Sequence, residues 1–198
     1  MLIEAGHEDV DKALRQTEQA VADKKYPAIF EATFAHDDIL ARVDILERGP
    51  RSKWRLIEVK SSTKVKDYYL HDVAIQRLIL EGLGMKVVPC LMHLNREYVY
   101  HGKQYELEKL FVIRDITDET AALSQDVKDL IREEHKVLAK ATAPEIKPGS
   151  HCTNPERSWS TMNSWRTTSM TRGRSSPKPF AKLSGRRGAC SLTANGLN

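Results

Sequence analysis

Residues 54–63 read WRLIEVKSST. Trp54, Leu56, Ile57 and Val59 have the apolar character of a strand that packs in a core. Glu58 and Lys60 break that run where a core strand is driest. Strand alternation puts Leu56, Glu58 and Lys60 on one face and Arg55, Ile57 and Val59 on the other, so the carboxylate and the ammonium point the same way, two residues apart. A buried charge is costly unless it is paired or bound to a metal. This stretch therefore predicts either a strand carrying a polar site or a strand with one solvated face.

The flanking sequence supplies partners for it. AIFEATFA (28–35) and DILARVDILER (38–48) read as two further strands, joined by the polar turn His36-Asp37-Asp38. RGPRSK (48–53) is a second turn, with Gly49-Pro50 as its punctuation. Residues 28–61 thus form a three-stranded antiparallel meander. Asp44 lies inside the apolar run ARVDILE, and the turn at 48–53 can bring it beside Glu58.

Helical spacing precedes and follows the meander. Residues 7–23 place Val10, Ala13, Leu14, Thr17, Ala20 and Val21 on one side, and Pro27 ends the segment. Residues 67–83 do the same with Leu70, Val73, Ala74, Leu80 and Leu83; Asp67 is the expected N-cap, and Gly82 or Gly84 the stop. KVVPCLMHL (86–94) reads as a strand, and Asn95-Arg96-Glu97 as a turn into EYVYHGKQY. LFVIRDIT (110–117) reads as the last strand. From Thr117 or Asp118 one long helix is expected to run to Lys140, with Glu and Lys on its outer face. The fold class is α/β (α+β): a central mixed sheet flanked by helices. Its parts are an N-terminal helix (1–26), a core with a C-terminal helix (27–143) and a tail (144–198).

Charge separates body from tail. The net +4 of the 198 residues divides into −3 for residues 1–150 and +7 for residues 151–198. Residues 151–198 hold one acid, 14 Ser and Thr, and no periodicity of either kind, so the tail is read as disordered. The body shows no uniformly basic face of the kind a sequence-independent nucleic-acid binder carries. No apolar run nears the ~20 residues that span a bilayer, and the acidic, amphipathic start is unlike a signal peptide. The three cysteines, Cys90, Cys152 and Cys190, are too few and too scattered for a disulfide framework. A cytoplasmic location with no membrane partner is expected.

Two carboxylates and an ammonium at one sheet edge point to a definite chemistry. Adjacent acids resist joint ionisation unless a cation lies between them. Magnesium or manganese suits them, because such ions take oxygen ligands and need only one or two carboxylates. The ion would activate water and offset charge on a phosphate, with Lys60 orienting the nucleophile or the phosphate. The competing reading is a solvated face with cross-strand salt bridges, and spacing alone does not separate the two.

Asp44, then Glu58-Val59-Lys60, then a helix with Gln76, resembles the PD-(D/E)xK nuclease superfamily in its RecB-like branch. IFEATF, ARVDIL, IEVKSST, YYLHDVAIQ, LMHLNREYVY and DIT, spanning Ile29 to Ile116, resemble more closely an uncharacterised bacterial domain family related to the CRISPR-associated RecB-like exonucleases. The resemblance implies a restriction-endonuclease-like core and a Mg²⁺- or Mn²⁺-dependent nuclease acting on DNA. It implies Asp44 and Glu58 as metal ligands, the Val59 backbone carbonyl as a further ligand, and Lys60 as the catalytic lysine. Gln76 matches the glutamine of a QxxxY motif that contacts DNA or braces the site, although Leu80 stands where that motif has Tyr. Glu31 is a candidate extra acid. Asp72, four residues before Gln76 on the same helix face, is a candidate supporting residue.

The resemblance also implies an iron–sulfur cluster, and here the chain departs from it. PGSHCTNP (148–155) fits the start of a cysteine loop through Cys152, but no cysteine occurs from 153 to 189 and none precedes Cys90. Such clusters usually need four thiolates, which matched positions do not supply. The switch in composition after Pro155 is the pattern a shifted reading frame leaves. The chain also looks truncated, with its start lying inside a longer domain. The alternative to a nuclease is a catalytically inactive nucleic-acid-binding or partner-docking domain on the same scaffold.

Overall fold

The computed structural model describes residues 1–6, 8–145 and 147. Expectations for the tail, Cys152 and PGSHCTNP included, fall outside the described residues apart from its first few. Helix α1 (Val10–Ala22) leads into strands β1 (Ala28–His36), β2 (Ile39–Arg48) and β3 (Lys53–Lys60). Helix α2 (Asp67–Gly82) and strand β4 (Lys86–Leu94) follow, then the single turn α3 (Leu107–Leu110), strand β5 (Phe111–Asp115), and helices α4 (Thr117–Ala122) and α5 (Ser124–Leu138). Met1–Ile131 belong to one compact unit; a second begins at Arg132, and its described residues continue α5 to Leu138. Among the described residues no helix is long and apolar enough to cross a membrane.

The sheet is mixed, in the order β1-β2-β3-β4-β5. β1, β2 and β3 form the expected antiparallel meander; β4 lies parallel to β3, and β5 returns antiparallel to β4. A parallel neighbour needs a crossover, and α2 provides it. Leu46 on β2, Leu56 on β3, Leu91 on β4 and Val73, Ile79 and Leu80 on α2 are fully buried in one cluster. The opposite side of α2 offers Ala74 to Val127 and Ile131 of α5.

The β1–β2 hairpin turns on Asp37 and Asp38, both at positive φ (51° and 59°). Paired left-handed residues make the two-residue hairpin turn whose twist matches the strands, and Asp tolerates it better than most side chains. Asp9 caps α1, accepting the Lys12 amide at 3.2 Å. At the far end Arg48 reaches back from β2 and donates to the carbonyls of Tyr26 (2.8 Å), Val21 (2.7 Å) and Asp23 (3.1 Å), while its guanidinium lies 4.2 Å from the Trp54 ring centre. The bond to Val21 satisfies a carbonyl in the last turn of α1, one that a helix end leaves without a partner in its own helix. Arg48→Ala should cost about 2–3 kcal/mol, since several charge-assisted bonds vanish together. A denaturant midpoint unchanged in that variant would show that water replaces the guanidinium without loss.

Two expectations need correction. Asp67 is not the N-cap of α2: Lys66 holds that position with no side-chain cap, and Asp67 is the first helical residue. The long helix from 117 is two helices, broken at Leu123, and its N-cap is Ile116 rather than Thr117 or Asp118. Thr120 explains part of the break, because its hydroxyl bonds the Ile116 and Thr117 carbonyls and accepts from Arg77 of α2 at 3.0 Å. EYVYHGKQY lies beyond the expected turn at Asn95-Arg96-Glu97. Asn95 folds it into a loop by bonding the Leu110 carbonyl, the Lys109 carbonyl and the Glu97 amide.

Candidate active site

The β2–β3 ladder runs from Arg48↔Trp54 to Ile45↔Ile57. One step further, Asp44 comes opposite Glu58, and there a side chain takes over from the backbone: Asp44 Oδ2 accepts the Val59 amide at 2.7 Å. The expected juxtaposition of Asp44 with the Glu58-Val59-Lys60 segment is therefore present. So is that of Glu58 with Lys60, whose Nζ donates to Glu58 Oε1 at 2.8 Å.

Helix α2 closes over this pair. Gln76 Nε2 donates to Glu58 Oε2 at 2.8 Å, and Lys60 Nζ donates to Asp72 Oδ2 at 2.9 Å. Lys60 also sits 5.0 Å from the Tyr69 ring centre, close enough for a cation–π contact. Tyr69 escaped the sequence reading. Its signal was positional: it lies three residues before Asp72 and seven before Gln76, on one helix face. The exposure of the side chains is graded, from 12% for Glu58 through 19% for Lys60 to 48% for Asp72. The site is dry at Glu58 and open to water at Asp72.

Glu31 lies on β1 between Phe30↔Ile45 and Ala32↔Val43, which places it across from Asp44. Its backbone has φ of 58°, an uncommon conformation for a glutamate inside a strand. Arg42 approaches its carboxylate at 3.9 Å. Leu80, in the place of the motif's tyrosine, is fully buried in the core and takes no part in the polar cluster.

Charge is unevenly accommodated. Burial pushes the Asp44 carboxyl above the usual carboxylate range; Glu58 and Glu31 add to this, while the Val59 amide and Lys60 work against it. Burial opposes the Lys60 ammonium, but the hydrogen bonds to Glu58 and Asp72 outweigh it and push its pKa up to about 12. Lys60 is thus a cation and a hydrogen-bond donor at neutral pH, and not a proton acceptor.

The donors fit a hard divalent ion in type. Asp44 and Glu58 are oxygen donors, and the Oε1 of Gln76 is buried beside Glu58 without a partner. Among the described residues no three His, Cys, Asp or Glu converge into a ready-made cage, a cluster that Mg²⁺, bound through one or two carboxylates plus water, does not require. Cys90 is a buried free thiol on β4 whose pKa is raised chiefly by burial, and it is the only cysteine among the described residues.

No family model and no curated protein matches the chain. Among solved structures, the crystal structure of SSO0001 shares 13% identity at a TM-score of 0.29, over 65% of this chain. The chain spans 62% of that structure's length.

Proposed function

We propose that this chain is a metal-dependent nuclease of the PD-(D/E)xK type that hydrolyses DNA phosphodiester bonds at Asp44, Glu58 and Lys60. The observation that carries the reading is a protonated lysine bonded to Glu58, with Asp44 bonded to the amide of the residue between them, where the β2–β3 ladder gives way to a side chain. Asp44 and Glu58 would hold Mg²⁺ or Mn²⁺, with the Val59 carbonyl as the further ligand the family resemblance implies. The ion would supply a Lewis acid that activates water and neutralises phosphate charge. Lys60 would donate to the scissile phosphate or orient the attacking water from a fixed position. Gln76 keeps Glu58 oriented through its amide. Glu31 adds negative charge across from Asp44, which favours a cation there.

A second reading has its own observation. Both oxygens of Glu58 are already engaged, by Lys60 and Gln76, so the network satisfies itself. Leu80 has also replaced the motif's tyrosine. A catalytically inactive nucleic-acid-binding or partner-docking domain would look like this.

Cleavage of labelled single- and double-stranded DNA by the full chain, with Mg²⁺, Mn²⁺ or EDTA, separates the two. The nuclease reading expects EDTA-sensitive cutting that falls at least about 10²-fold in Glu58→Gln. A folded chain that leaves both DNAs intact with either metal would put the binding scaffold ahead.

A further inference from the structure

Helix α2 and strand β3 share a common measure. Residues four apart on a helix are ~6 Å apart along its axis, and residues two apart on a strand are ~6.6 Å apart. Asp72 and Gln76 therefore match Lys60 and Glu58 one to one. Gln76 bonds Glu58 and Asp72 bonds Lys60, at 2.8 and 2.9 Å. Each member of the charged pair thus has a partner on the helix as well as its partner on the strand.

We propose that Asp72 is a positioning residue: its carboxylate is the hydrogen-bond partner that keeps the Lys60 ammonium seated once Glu58 is engaged elsewhere. Nothing needs to travel for this to happen. An ammonium has three N–H donors, and Lys60 spends one on Glu58 and one on Asp72. Withdrawing Glu58 leaves the second bond and the Tyr69 ring face in place. The consequence for the site rests on the nuclease reading above. A divalent ion must compete with Lys60 for Glu58, and Asp72 lets the lysine yield that oxygen without leaving. Without Asp72, the ammonium swings into solvent when the ion takes that oxygen. Gln76 plays the matching part for Glu58.

The test reads Lys60 directly and needs no activity. Reductive methylation of the folded full chain, followed by mass spectrometry, gives the labelling rate of Lys60 against exposed Lys12 as an internal reference. Lys60 should label about tenfold more slowly than Lys12 in the native protein, as a charge-assisted pair protects an amine. Glu58→Gln imitates a Glu58 given over to another partner, and Lys60 should stay slow in it. Glu58→Gln with Asp72→Asn should label as fast as Lys12, and Glu58→Gln with Asp72→Glu should be slow again. Lys60 labelling in Glu58→Gln alone as fast as in the double variant overturns the proposal, as does an Asp72→Glu that restores nothing. A parallel arm adds Mn²⁺ to the Asp72→Asn variant, where it should unmask Lys60. If Mn²⁺ changes nothing there while the Glu58→Gln series behaves as expected, the metal reading falls and the positioning role of Asp72 stands.

Discussion

Asp44→Asn should abolish DNA cleavage and, at neutral pH, raise the stability of the fold. The two effects share one cause. The Asp44 carboxyl is half-buried, faces Glu58 and Glu31, and has a pKa pushed above the usual range, with burial the largest contribution. A carboxyl whose pKa is higher folded than unfolded favours the native state when protonated, and loses that advantage as pH rises through the folded value. Above that point the ionised group opposes folding. Asparagine removes the charge and keeps an oxygen to accept the Val59 amide, so the strand junction survives. On the proposed nuclease reading the same change removes a metal ligand, and cleavage should drop at least about 10²-fold. Thermal unfolding and cleavage measured side by side at pH 7 check both halves. A variant less stable than the native chain would show that the ionised oxygen strengthens the Val59 bond by more than its buried charge costs, and a variant that still cuts would remove Asp44 from the site. Near pH 3 the stability gain should shrink, because the native carboxyl is then protonated as well.

A gain in stability on losing a half-buried acid is expected where a site is built from groups that do not suit a fold, as the proposed reading requires of Asp44. Glu31 adds to the pattern, with its left-handed backbone across the sheet from Asp44. A glycine would adopt that conformation with less strain; a glutamate there is consistent with a use for its carboxylate.

How far the sequence revealed this arrangement depends on the range of the forces involved. β4 was legible to the residue, and α2 to within one, because apolar periodicity and a bounding glycine are local signals. Asp44, Glu58 and Lys60 were legible because charges interrupting apolar runs stand out in one dimension. The break at Leu123 was not, since it carries no glycine or proline and involves Arg77, which arrives from α2 to bond the Thr117 carbonyl and the Thr120 hydroxyl. The course of the chain after β4 was not legible, because the tyrosines and valine of EYVYHGKQY favour strands by propensity. Asn95, fixing the backbone at three points, decided the matter instead. The partners of Lys60 needed both periodicities at once: two on the strand, four on the helix. Asp72 was placed on the right face, but its bond to Lys60 depends on the crossover that sets α2 against β3.

Lys60→Ala should lose cleavage about as completely as Asp44→Asn and move stability the other way. Removing the ammonium leaves Glu58, 12% exposed, with one hydrogen bond and no counter-ion, and leaves Asp72 facing it. Taking one partner from a buried ion pair is costly. Here Asp72 is open to water, so the loss should be about 1–2 kcal/mol rather than the full value for a sealed pair. The pH dependence gives the distinguishing signature. The Lys60 pKa rises from 10.5 to about 12 on folding: burial opposes the charge, and the bonds to Glu58 and Asp72 overcome it. A lysine held above its unfolded value stabilises the fold fully below that value, and the contribution disappears as pH climbs through the folded one. The native chain and Lys60→Ala should therefore differ by a constant amount up to about pH 10 and converge between roughly pH 10.5 and 12. Urea unfolding across that range, in chains that still fold, measures the convergence. Parallel curves throughout would mean that Lys60 stabilises by packing on Tyr69 and not by its charge. A Lys60→Met variant, which keeps the stem and drops the ammonium, would then recover the lost stability and still fail to cut DNA.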